Sequence, residues 1–372
     1  MHIGMALFGD LRFDYRVFRE ATSLRQAGHH VSIVCSVFHS SPIEGWEEFD
    51  IYPIPIDRSR SLRLLYPTFW RQARQHLLSL KADAYHAHDL DTLLPASQAA
   101  RRHDVPLIYD SHELWTEQSS LVERPLIRSF WRVLEKRLIG RVHQTISVSP
   151  SIAQILEQRY NLDHAVVLLR NLPLYRDYEP SDQIQTRLGL TADQPIILYQ
   201  GGFLTDNGLA EQIQAMRGVD HAVLVLLGDG PTQDALKSQV IKAGLEHKVY
   251  FIPRVPFTHL HRYSCSATIG LCLIKGSGQS FYFSLPNKLF EYMMAGLPVL
   301  ASDFPDMRTV IAQTGAGTLA DPHDIAAIRD QLNAMLADPQ GLKQAHQAAL
   351  KAAQQYNWEL EAPKLIQLYA AL

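Results

Sequence analysis

The chain has 372 residues, of which 47% are hydrophobic and 20% are charged, and its formal net charge is −3. This length exceeds that of one ordinary hydrophobic core and favours two α/β domains, while the nearly balanced charge argues against a general nucleic-acid-binding protein. The three cysteines have neither metal-binding nor CxxC spacing, so we expect reduced, buried thiols in a cytoplasmic protein (Cys35, Cys265 and Cys272).

Short apolar segments alternate with amphipathic segments along the chain, a pattern typical of parallel sheets wound with helices. The first apolar segment lacks the basic region and the long apolar core of a signal peptide, and no segment is long and apolar enough to cross a membrane. The segment that ends at Gly28 is predicted to be a helix over residues 17–28. The strands predicted in the first half are residues 3–8, 31–34, 84–86, 107–109 and 145–148.

A second series of apolar segments follows after residue 181 and predicts a second parallel sheet. Residues 168–181, which contain Pro173 and Pro180, separate the two series and are predicted to be the interdomain hinge. The predicted domains therefore cover residues 1–175 and 182–356. The strands predicted in the second half are residues 196–199, 223–227, 249–252, 269–273 and 299–301.

Residues 284–299 combine a polar loop, a helix that starts at or just after Pro286, and a stop at Gly296. The first N–H groups of such a helix have no intrahelical acceptor, and together with Lys288 they form an anion site suited to a phosphate or diphosphate. Glu291 lies three residues after Lys288, on the same helix face, where a carboxylate suits ribose hydroxyls. The segment therefore predicts a nucleotide-sugar site.

Further candidate residues follow four neighbouring strands of the second series. Because the carboxyl ends of parallel strands meet at one edge of the sheet, we expect these loops to converge on one ligand. A glycine pair alone is more often an ordinary tight turn, so the convergence carries the prediction. In strand order the candidates are Gly201 and Gly202, Gly228 to Gly230, Arg254, and Lys275 with residues 284–287.

Several short motifs, taken together, are typical of one enzyme family. They are residues 14–20 (DYRVFRE), 86–91 (HAHDLD), 109–115 (YDSHELW), 147–149 (SVS), 170–171 (RN), 199–202 (YQGG), 228–231 (GDGP), 284–299 and 357–359 (NWE). With these motifs the chain resembles, nearly end to end, the family 4 glycosyltransferases, which are retaining enzymes with the GT-B fold.

The resemblance implies an α/β architecture of two doubly wound, Rossmann-like domains that face a central cleft. The C-terminal helix, residues 357–372, would cross back to the N-terminal domain. A nucleotide-diphosphate sugar would be the co-substrate and would bind the C-terminal domain, with the acceptor on the N-terminal domain. No metal or other cofactor would be required.

The resemblance also assigns roles to individual residues. His112, Lys288 and Glu291 would be catalytic; His112 would contact the donor sugar and stabilise the transition state rather than act as a nucleophile. Residues 284–288 would hold the diphosphate, and Arg254 and Val255 would lie beside the base. The donor-binding residues would be Gly201, Gly202, Phe203, Gly228, Arg254, Val255, Lys275, Ser284, Leu285, Pro286 and Asn287. The acceptor-binding residues would be Asp14, Tyr15, Arg16, His88, Asp89 and Glu113.

The sequence departs from the family pattern at two places. Many members have two glutamates seven residues apart, whereas Phe283 stands here in place of the first. Many also have an Arg and a Lys in the glycine-rich loop, but residues 201–208 contain no basic residue. Because a departing diphosphate needs preorganised positive charge or N–H donors, Lys288, Lys275, Arg254 and the helix N-terminus must supply it.

Four features of the first half allow more than one interpretation. His86, His88, Asp89 and Asp91 could form a metal cluster, but we favour a strand end at which Asp91 caps a helix starting near Thr92. Asp14 and Arg16 could form a local ion pair or line the acceptor pocket. His112 could be an ordinary hydrogen-bonded loop residue, and Glu113 could cap, orient a neighbour or act as a base.

Basic and aromatic residues are concentrated in two segments of the first half. They are Arg58, Arg60, Arg63, Tyr66, Phe69, Trp70, Arg71 and Arg74, and then Arg128, Phe130, Trp131, Arg132, Lys136, Arg137 and Arg141. One interpretation is a pair of solvated amphipathic helices that pack Trp70 and Trp131 inward. The other is peripheral contact with the inner face of an anionic membrane, where a lipid-linked acceptor would be reached.

The prediction for the whole chain is a glycosyltransferase of glycan or glycoconjugate biosynthesis. It would transfer a sugar from a nucleotide-diphosphate donor to a hydroxyl of a carbohydrate or lipid-linked acceptor, with retention of anomeric configuration. The alternatives are a GT-B sugar-nucleotide epimerase and a non-catalytic subunit that binds nucleotide sugars.

Overall fold

The computed structural model describes the chain except residues 39–42, 58–61 and 277, and describes residues 13 and 62–64 by their backbone alone. The chain forms two compact units: Met1–Arg170 with Glu361–Leu372, and Asn171–Leu360. The sequence placed the boundaries at residues 175, 182 and 357. Arg58 and Arg60 of the predicted basic–aromatic segment lie outside the described residues, as does the Arg63 side chain.

The first unit is built on a parallel sheet of seven strands with the order β3-β2-β1-β4-β5-β6-β7. Its strands are β1 (His2–Leu7), β2 (His30–Val37), β3 (Asp50–Pro55), β4 (Ala84–His88), β5 (Leu107–Ser111), β6 (Gln144–Ser147) and β7 (Val167–Leu168). Its helices are α1 (Tyr15–Gln26), α2 (Leu62–Leu80), α3 (Leu90–His103), α4 (Ser119–Val122), α5 (Pro125–Ile139) and α6 (Pro150–Tyr160).

The second unit has a parallel sheet of six strands with the order β10-β9-β8-β11-β12-β13. Its strands are β8 (Ile196–Gln200), β9 (Val223–Leu227), β10 (Val249–Ile252), β11 (Ile269–Cys272), β12 (Val299–Ser302) and β13 (Gly317–Ala320). Its helices are α7 (Gln183–Leu188), α8 (Leu209–Ala215), α9 (Gln233–Ala243), α10 (Phe257–Ser264), α11 (Gln279–Tyr282), α12 (Asn287–Met294), α13 (Pro305–Thr314), α14 (Ile325–Ala337) and α15 (Pro339–Ala353). The last helix, α16 (Trp358–Ala370), starts in the second unit, and its residues from Glu361 onward belong to the first.

Both faces of the second sheet are covered by apolar packing, as expected for a doubly wound fold. Along β8, Ile196 and Leu198 pack into one hydrophobic cluster, whereas Ile197 and Tyr199 pack into another. Successive side chains of a strand point to opposite faces, which explains why the apolar stretches do not alternate with polar residues. The predicted α/β architecture of two wound parallel sheets is confirmed.

In each sheet the strand order reverses beside its first strand, between β1 and β4 and between β8 and β11. Ligands of such sheets bind outside the carboxyl ends of the strands at this switch point. The loops after β4, β5, β8 and β11 are therefore where a site is expected. Among the described helices, none has the length and apolar character needed to cross a membrane.

Candidate active site

In the first unit, polar side chains gather at the carboxyl ends of β4 and β5. The two strands pair in parallel with His88 opposite Asp110, and the backbone N–H of Asp89 donates to the Asp110 carbonyl at 2.8 Å. His112 follows β5 directly, so the register of the sheet brings it to the residues that end β4.

The His112 side chain contacts a carboxylate on each side of its ring. Its Nε2 lies 2.9 Å from Asp110 Oδ2 and 3.2 Å from His88 Nδ1, and its Nδ1 lies 3.5 Å from Asp89 Oδ2. Its backbone N–H donates to Asp89 Oδ1 at 2.9 Å. The side chain is 18% exposed, so the ring is fixed by the protein yet reaches the surface.

Asp110 is buried, and its charge is balanced by Arg16. The guanidinium donates from Nε to Asp110 Oδ2 at 2.9 Å and from Nη2 to Oδ1 at 2.7 Å, which is a bidentate pair. Arg16 also contacts Glu20 Oε1 at 2.9 Å and donates to the Leu169 carbonyl at 3.0 Å. Arg16 thus fixes the carboxylate that fixes His112.

The charges of this cluster shift the pKa values of its members in opposite directions. Burial acts to lower the pKa of His112, but Asp89 and Asp110 outweigh it and raise the pKa to about 10. Burial acts to raise the pKa of Asp110, but Arg16 and His112 hold it well below its usual range. At neutral pH His112 is therefore an imidazolium, which can donate hydrogen bonds but cannot accept a proton.

His88 and Arg16 do not reach an acceptor, contrary to the sequence prediction. Both side chains are buried beneath His112 and are engaged with protein groups. Burial, together with neighbouring His86, holds the pKa of His88 well below its usual value, so His88 is neutral. These two residues support His112 instead of contacting a substrate.

The start of α3 differs from the prediction. The helix begins at Leu90, so Asp91 lies inside its first turn and is buried, and Asp91 is not the cap. Asp89 occupies the cap position with φ of 63° but makes no side-chain capping bond, because its carboxylate binds His112. A positive φ at a non-glycine residue is uncommon and often marks a functional position.

The remaining predicted acceptor residues lie in two loops. Asp14 caps α1 by accepting from the Val17 N–H at 3.0 Å, and Tyr15 next to it is exposed. Arg16 pairs with Asp110 and Glu20 rather than forming the proposed local pair that starts the helix. Glu113 accepts from Gln118 Nε2 at 2.5 Å, so it orients a neighbour.

The buried residues Glu20, His86, His88 and Asp110 offer one ligand atom each within 4.8 Å of one another. Asp89 and Asp91, which belong to the metal cluster that the sequence analysis considered but did not favour, are not in this group. Arg16 already contacts both carboxyl groups and His112 contacts that of Asp110, and burial raises the pKa of Glu20 to about 8. His86 Nδ1 is hydrogen-bonded to the Tyr369 hydroxyl of α16 at 2.8 Å. We therefore interpret these four residues as buried structural support for the His112 site and not as a metal site.

In the second unit, the start of α12 lies beside the glycine loop after β8. The Lys288 Nζ stands 4.0 Å from the centre of the Tyr199 ring, a cation–π contact. A Cβ on Gly201 would lie 3.5 Å from this Nζ, and Gly201 has φ of 130°. Within the described residues no carboxylate pairs with Lys288. Its charge and the first N–H groups of α12 form a surface suited to an anion.

Glu291, one turn into α12, is held by residues that the sequence analysis did not identify. Its Oε2 accepts from Gln200 Nε2 at 2.6 Å, and Gln200 Oε1 accepts from Ser264 Oγ at 2.7 Å. Gln200 and Ser264 are both buried. A buried polar residue at the carboxyl end of β8 is a signal that could have revealed Gln200.

The other two cations that were predicted to face the donor are engaged with acids. Lys275 Nζ lies 2.7 Å from Glu211 Oε1, and Arg254 lies 3.2 Å from Asp229. Both members of the Arg254 pair are about half exposed, so that pair is weak. Lys288 is therefore the cation with the least compensation among the three.

Two predicted donor contacts are contradicted for their side chains. Phe203 is fully buried in the hydrophobic cluster on one face of the sheet, and Leu285 is buried in the cluster on the other. The role of Gly228 is structural. A Cβ at this position would lie 2.0 Å from the Gly201 carbonyl oxygen, so only glycine allows the two loops to touch. Asn207, in the loop without basic residues, closes that loop by donating to the Gly202 carbonyl at 2.8 Å.

The remaining predicted donor residues lie in the same loops. Gly202 accepts hydrogen bonds from Tyr199 and Asn207, and Ser284 donates to the Phe281 carbonyl at 2.8 Å. Pro286 occupies the N-cap position of α12 and Asn287 is exposed at its first turn, while Val255 is half-buried after β10. The helix start was thus predicted correctly.

Two family models together cover most of the chain. Residues 15–171 match the Glycosyltransferase Family 4 model, and residues 180–355 match the Glycosyl transferases group 1 model. The chain therefore belongs to the group 1, family 4 class of glycosyltransferases, and it is a glycosyltransferase with the GT-B fold.

Curated relatives and solved structures agree with this family. The chain is 26% identical over 288 residues to a D-inositol 3-phosphate glycosyltransferase of Xylanimonas cellulosilytica, covering 73% of this chain and 68% of that protein. It is 24% identical over 370 residues to a phosphatidyl-myo-inositol mannosyltransferase of Mycobacterium leprae, covering 95% and 91%. The structure of Anabaena HepE in complex with UDP-glucose superposes with a TM-score of 0.78 at 16% identity, covering 100% of both chains.

Proposed function

We propose that the second unit binds a nucleoside-diphosphate sugar at the start of α12. The observation that carries this proposal is the placement of Lys288 beside Gly201, one helical turn before a Glu291 that Gln200 holds in place. The N–H groups and Lys288 would bind the diphosphate, and Glu291 would accept hydrogen bonds from the ribose hydroxyls. The UDP-glucose complex named for HepE supports UDP-glucose as the first donor to test.

In the proposed reaction, the bond between the sugar C1 and the diphosphate oxygen breaks, and a bond forms from C1 to the acceptor oxygen. The acceptor proton passes to the leaving diphosphate, because the His112 imidazolium is already protonated. His112 donates a hydrogen bond to a hydroxyl of the transferred sugar and so holds the sugar in position for the transition state, while Lys288 and the first N–H groups of α12 stabilise the negative charge that develops on the leaving diphosphate. We further propose that attack and departure share one face, which retains the anomeric configuration, and that no metal is required.

The proposed acceptor carries a hydroxyl and binds the first unit near Asp89 and His112. The inositol phosphate and phosphatidylinositol acceptors named for the two curated relatives support a polyol or a lipid-linked acceptor. Among the described residues, α5 exposes Leu126, Phe130 and Val133 on its surface at 86%, 52% and 48%. Basic residues on the same helix favour peripheral contact with an anionic membrane through this face.

The donor proposal is tested by the change Glu291→Ala. We expect the affinity for UDP-glucose, measured by calorimetry, to fall about 10- to 100-fold, because a charged acceptor of ribose hydrogen bonds is lost. The control is Glu246→Ala, which removes an exposed glutamate of the same unit. Unchanged affinity in Glu291→Ala would refute the assignment. Product analysis adds a second criterion: a transferase leaves the sugar on another molecule, whereas an epimerase leaves it on the nucleotide.

A further inference from the structure

The first unit contains a cavity of about 930 Å³, and none of the proposed catalytic residues lines it. Four aromatic rings surround Trp131: the rings of Tyr66, Phe130, Trp115 and Trp70 lie 5.0, 5.5, 5.6 and 6.0 Å from it between ring centres. This volume is in the range of small-molecule binding sites. The lining residues are Tyr66, Pro67, Trp70, Trp115, Gln118, Ser120, Leu121, Arg124, Leu126, Ile127, Phe130 and Trp131.

The cavity shares two walls with the His112 site. Gln118 lines the cavity and donates to Glu113, the residue after His112. Trp70 also lines it, and its indole N–H donates to the Asp91 carbonyl at 2.6 Å, two residues after Asp89. A molecule in the cavity would therefore contact side chains that are hydrogen-bonded to the loops that hold His112.

The lining favours a hydrocarbon over a sugar. A carbohydrate needs several hydrogen-bonding partners, yet the Trp70 N–H and the Gln118 amide N–H are already bonded to protein groups. The Trp115 indole N–H is buried and has no partner among the described residues, which leaves one donor for a single polar group of the ligand. Leu126 and Phe130, which line the cavity, are also strongly exposed, so apolar surface extends outward from it.

The charge of the lining indicates what accompanies the hydrocarbon. Among the described lining residues there is one cation, Arg124, and no carboxylate. The nearby Glu117 is matched by Arg128, Arg132 and Arg159, so it adds no uncompensated negative charge. An anionic group bound to a long apolar chain is the amphiphile that this lining complements.

We propose that the aromatic cavity binds the hydrocarbon chain of an acceptor whose phosphate or diphosphate joins that chain to the accepting headgroup. The chain lies among Trp70, Trp115 and Trp131, the phosphate pairs with Arg124, and the hydroxyl headgroup is presented toward Asp89 and His112. This inference rests on the proposed function, because it names the class of acceptor for the same site.

The test uses dodecyl phosphate as the probe, as a monomer below its micelle concentration. Three of the five tryptophans of the chain line the cavity, so intrinsic fluorescence reports on binding. We expect saturable quenching, and an affinity at least about tenfold lower in the double variant Leu126→Ser/Phe130→Ser, because apolar contact area is lost. Both side chains are exposed, so the variant should fold, which circular dichroism would check.

Three further measurements separate the alternatives. Val133→Ser is the matched control, since Val133 is exposed on the same helix but does not line the cavity; its affinity should equal that of the parent. Arg124→Gln should weaken dodecyl phosphate binding but leave binding of neutral dodecyl maltoside unchanged. Absence of saturable binding, an equal loss in Val133→Ser, or binding to anionic vesicles without binding to the monomer would each overturn the proposal.

The assignment of the cavity and the assignment of the donor site can be refuted independently of each other. Glu291→Ala should leave dodecyl phosphate binding unchanged, and Leu126→Ser/Phe130→Ser should leave UDP-glucose affinity unchanged. If the first variant keeps full UDP-glucose affinity, the donor assignment fails and the dodecyl phosphate titration still decides the cavity. If UDP-glucose binding behaves as expected and the probe does not bind, the cavity assignment alone fails.

Discussion

The two candidate sites handle charge in opposite ways. Around His112 in the first unit, the two acids that contact the ring and the cation beneath it are mostly buried and compensate one another, with Arg16 bound to Asp110 and Asp110 bound to His112. At the start of α12 in the second unit, Lys288 contacts an aromatic ring and the first N–H groups of the helix have no intrahelical acceptor. Compensated buried charges hold a group in one state, whereas uncompensated donors at a surface are ready for an incoming anion.

This difference predicts different consequences of mutation. Removing a member of the His112 cluster leaves other charges buried without partners, so stability and activity should fall together. Removing a donor at α12 leaves no buried charge behind, so activity should fall while stability stays nearly unchanged.

The largest effect is expected for Asp110→Asn. This change leaves Arg16 and His112 without their shared carboxylate, and breaking a buried ion pair from one side typically costs about 3–5 kcal/mol. We expect the free energy of unfolding, measured by urea titration, to fall by about this amount. The control is Asp303→Asn, because Asp303 forms an exposed pair with Arg308. A loss as small as that of the control would show that Asp110 does not balance the cluster.

A large effect on turnover alone is expected for Lys288→Ala. Losing a donor that stabilises a developing negative charge typically lowers kcat about 10²- to 10³-fold. The affinity for the donor, measured by calorimetry, should change less, because the helix N–H groups remain. Lys242→Ala, on the surface of α9, is the control. Equal losses in affinity and kcat would mean that Lys288 binds the ground state as strongly as the transition state.

The third effect is a pH dependence of stability that distinguishes the His112 cluster from α12. The folded-state pKa of His112 is raised to about 10, above the usual value of 6.5, so its contribution to stability is complete below pH 6.5 and declines as the pH rises toward 10. The difference in unfolding free energy between the parent and His112→Gln should therefore shrink over this range. NMR of the His112 ring should place its titration near pH 10. Titration of His112 near pH 6.5 would contradict the charged cluster.

The sequence predicted the central strands of both sheets well because each is a short apolar segment bounded by turn residues. It missed the edge strands β3 and β13 and the two-residue β7, which are polar, short or rich in proline and glycine. The start of α12 was predicted correctly because its signals are local: a polar loop, a proline and a glycine stop.

The polar contacts behind the site residues could not be predicted in the same way. Arg16 reaches Asp110 across 94 positions, and Gln200 reaches Glu291 across 91, so sheet register and helix packing bring these partners together. His88 and Asp89 are adjacent in sequence, yet one is buried beneath His112 and the other binds its backbone. No local pattern distinguishes such neighbours.

The smallest effect is expected for Ser264→Ala, which tests how rigidly the second site is preorganised. Ser264 donates to Gln200, and Gln200 donates to Glu291, so the hydroxyl acts on the donor through two hydrogen bonds. Losing one neutral hydrogen bond is worth about 1 kcal/mol, and we expect UDP-glucose affinity to fall about fivefold by calorimetry. Ser238→Ala, on the exposed side of α9, is the control.

In a Glu291→Ala background the Ser264→Ala change should have no further effect on affinity, because the carboxylate that it positions is gone. A full additional loss there would mean that Ser264 acts by another route. Glu291 would then not depend on the buried Gln200 and Ser264 for its position, whereas His112 depends on the buried Asp110 and Arg16, and the two sites would differ more than the structure alone indicates.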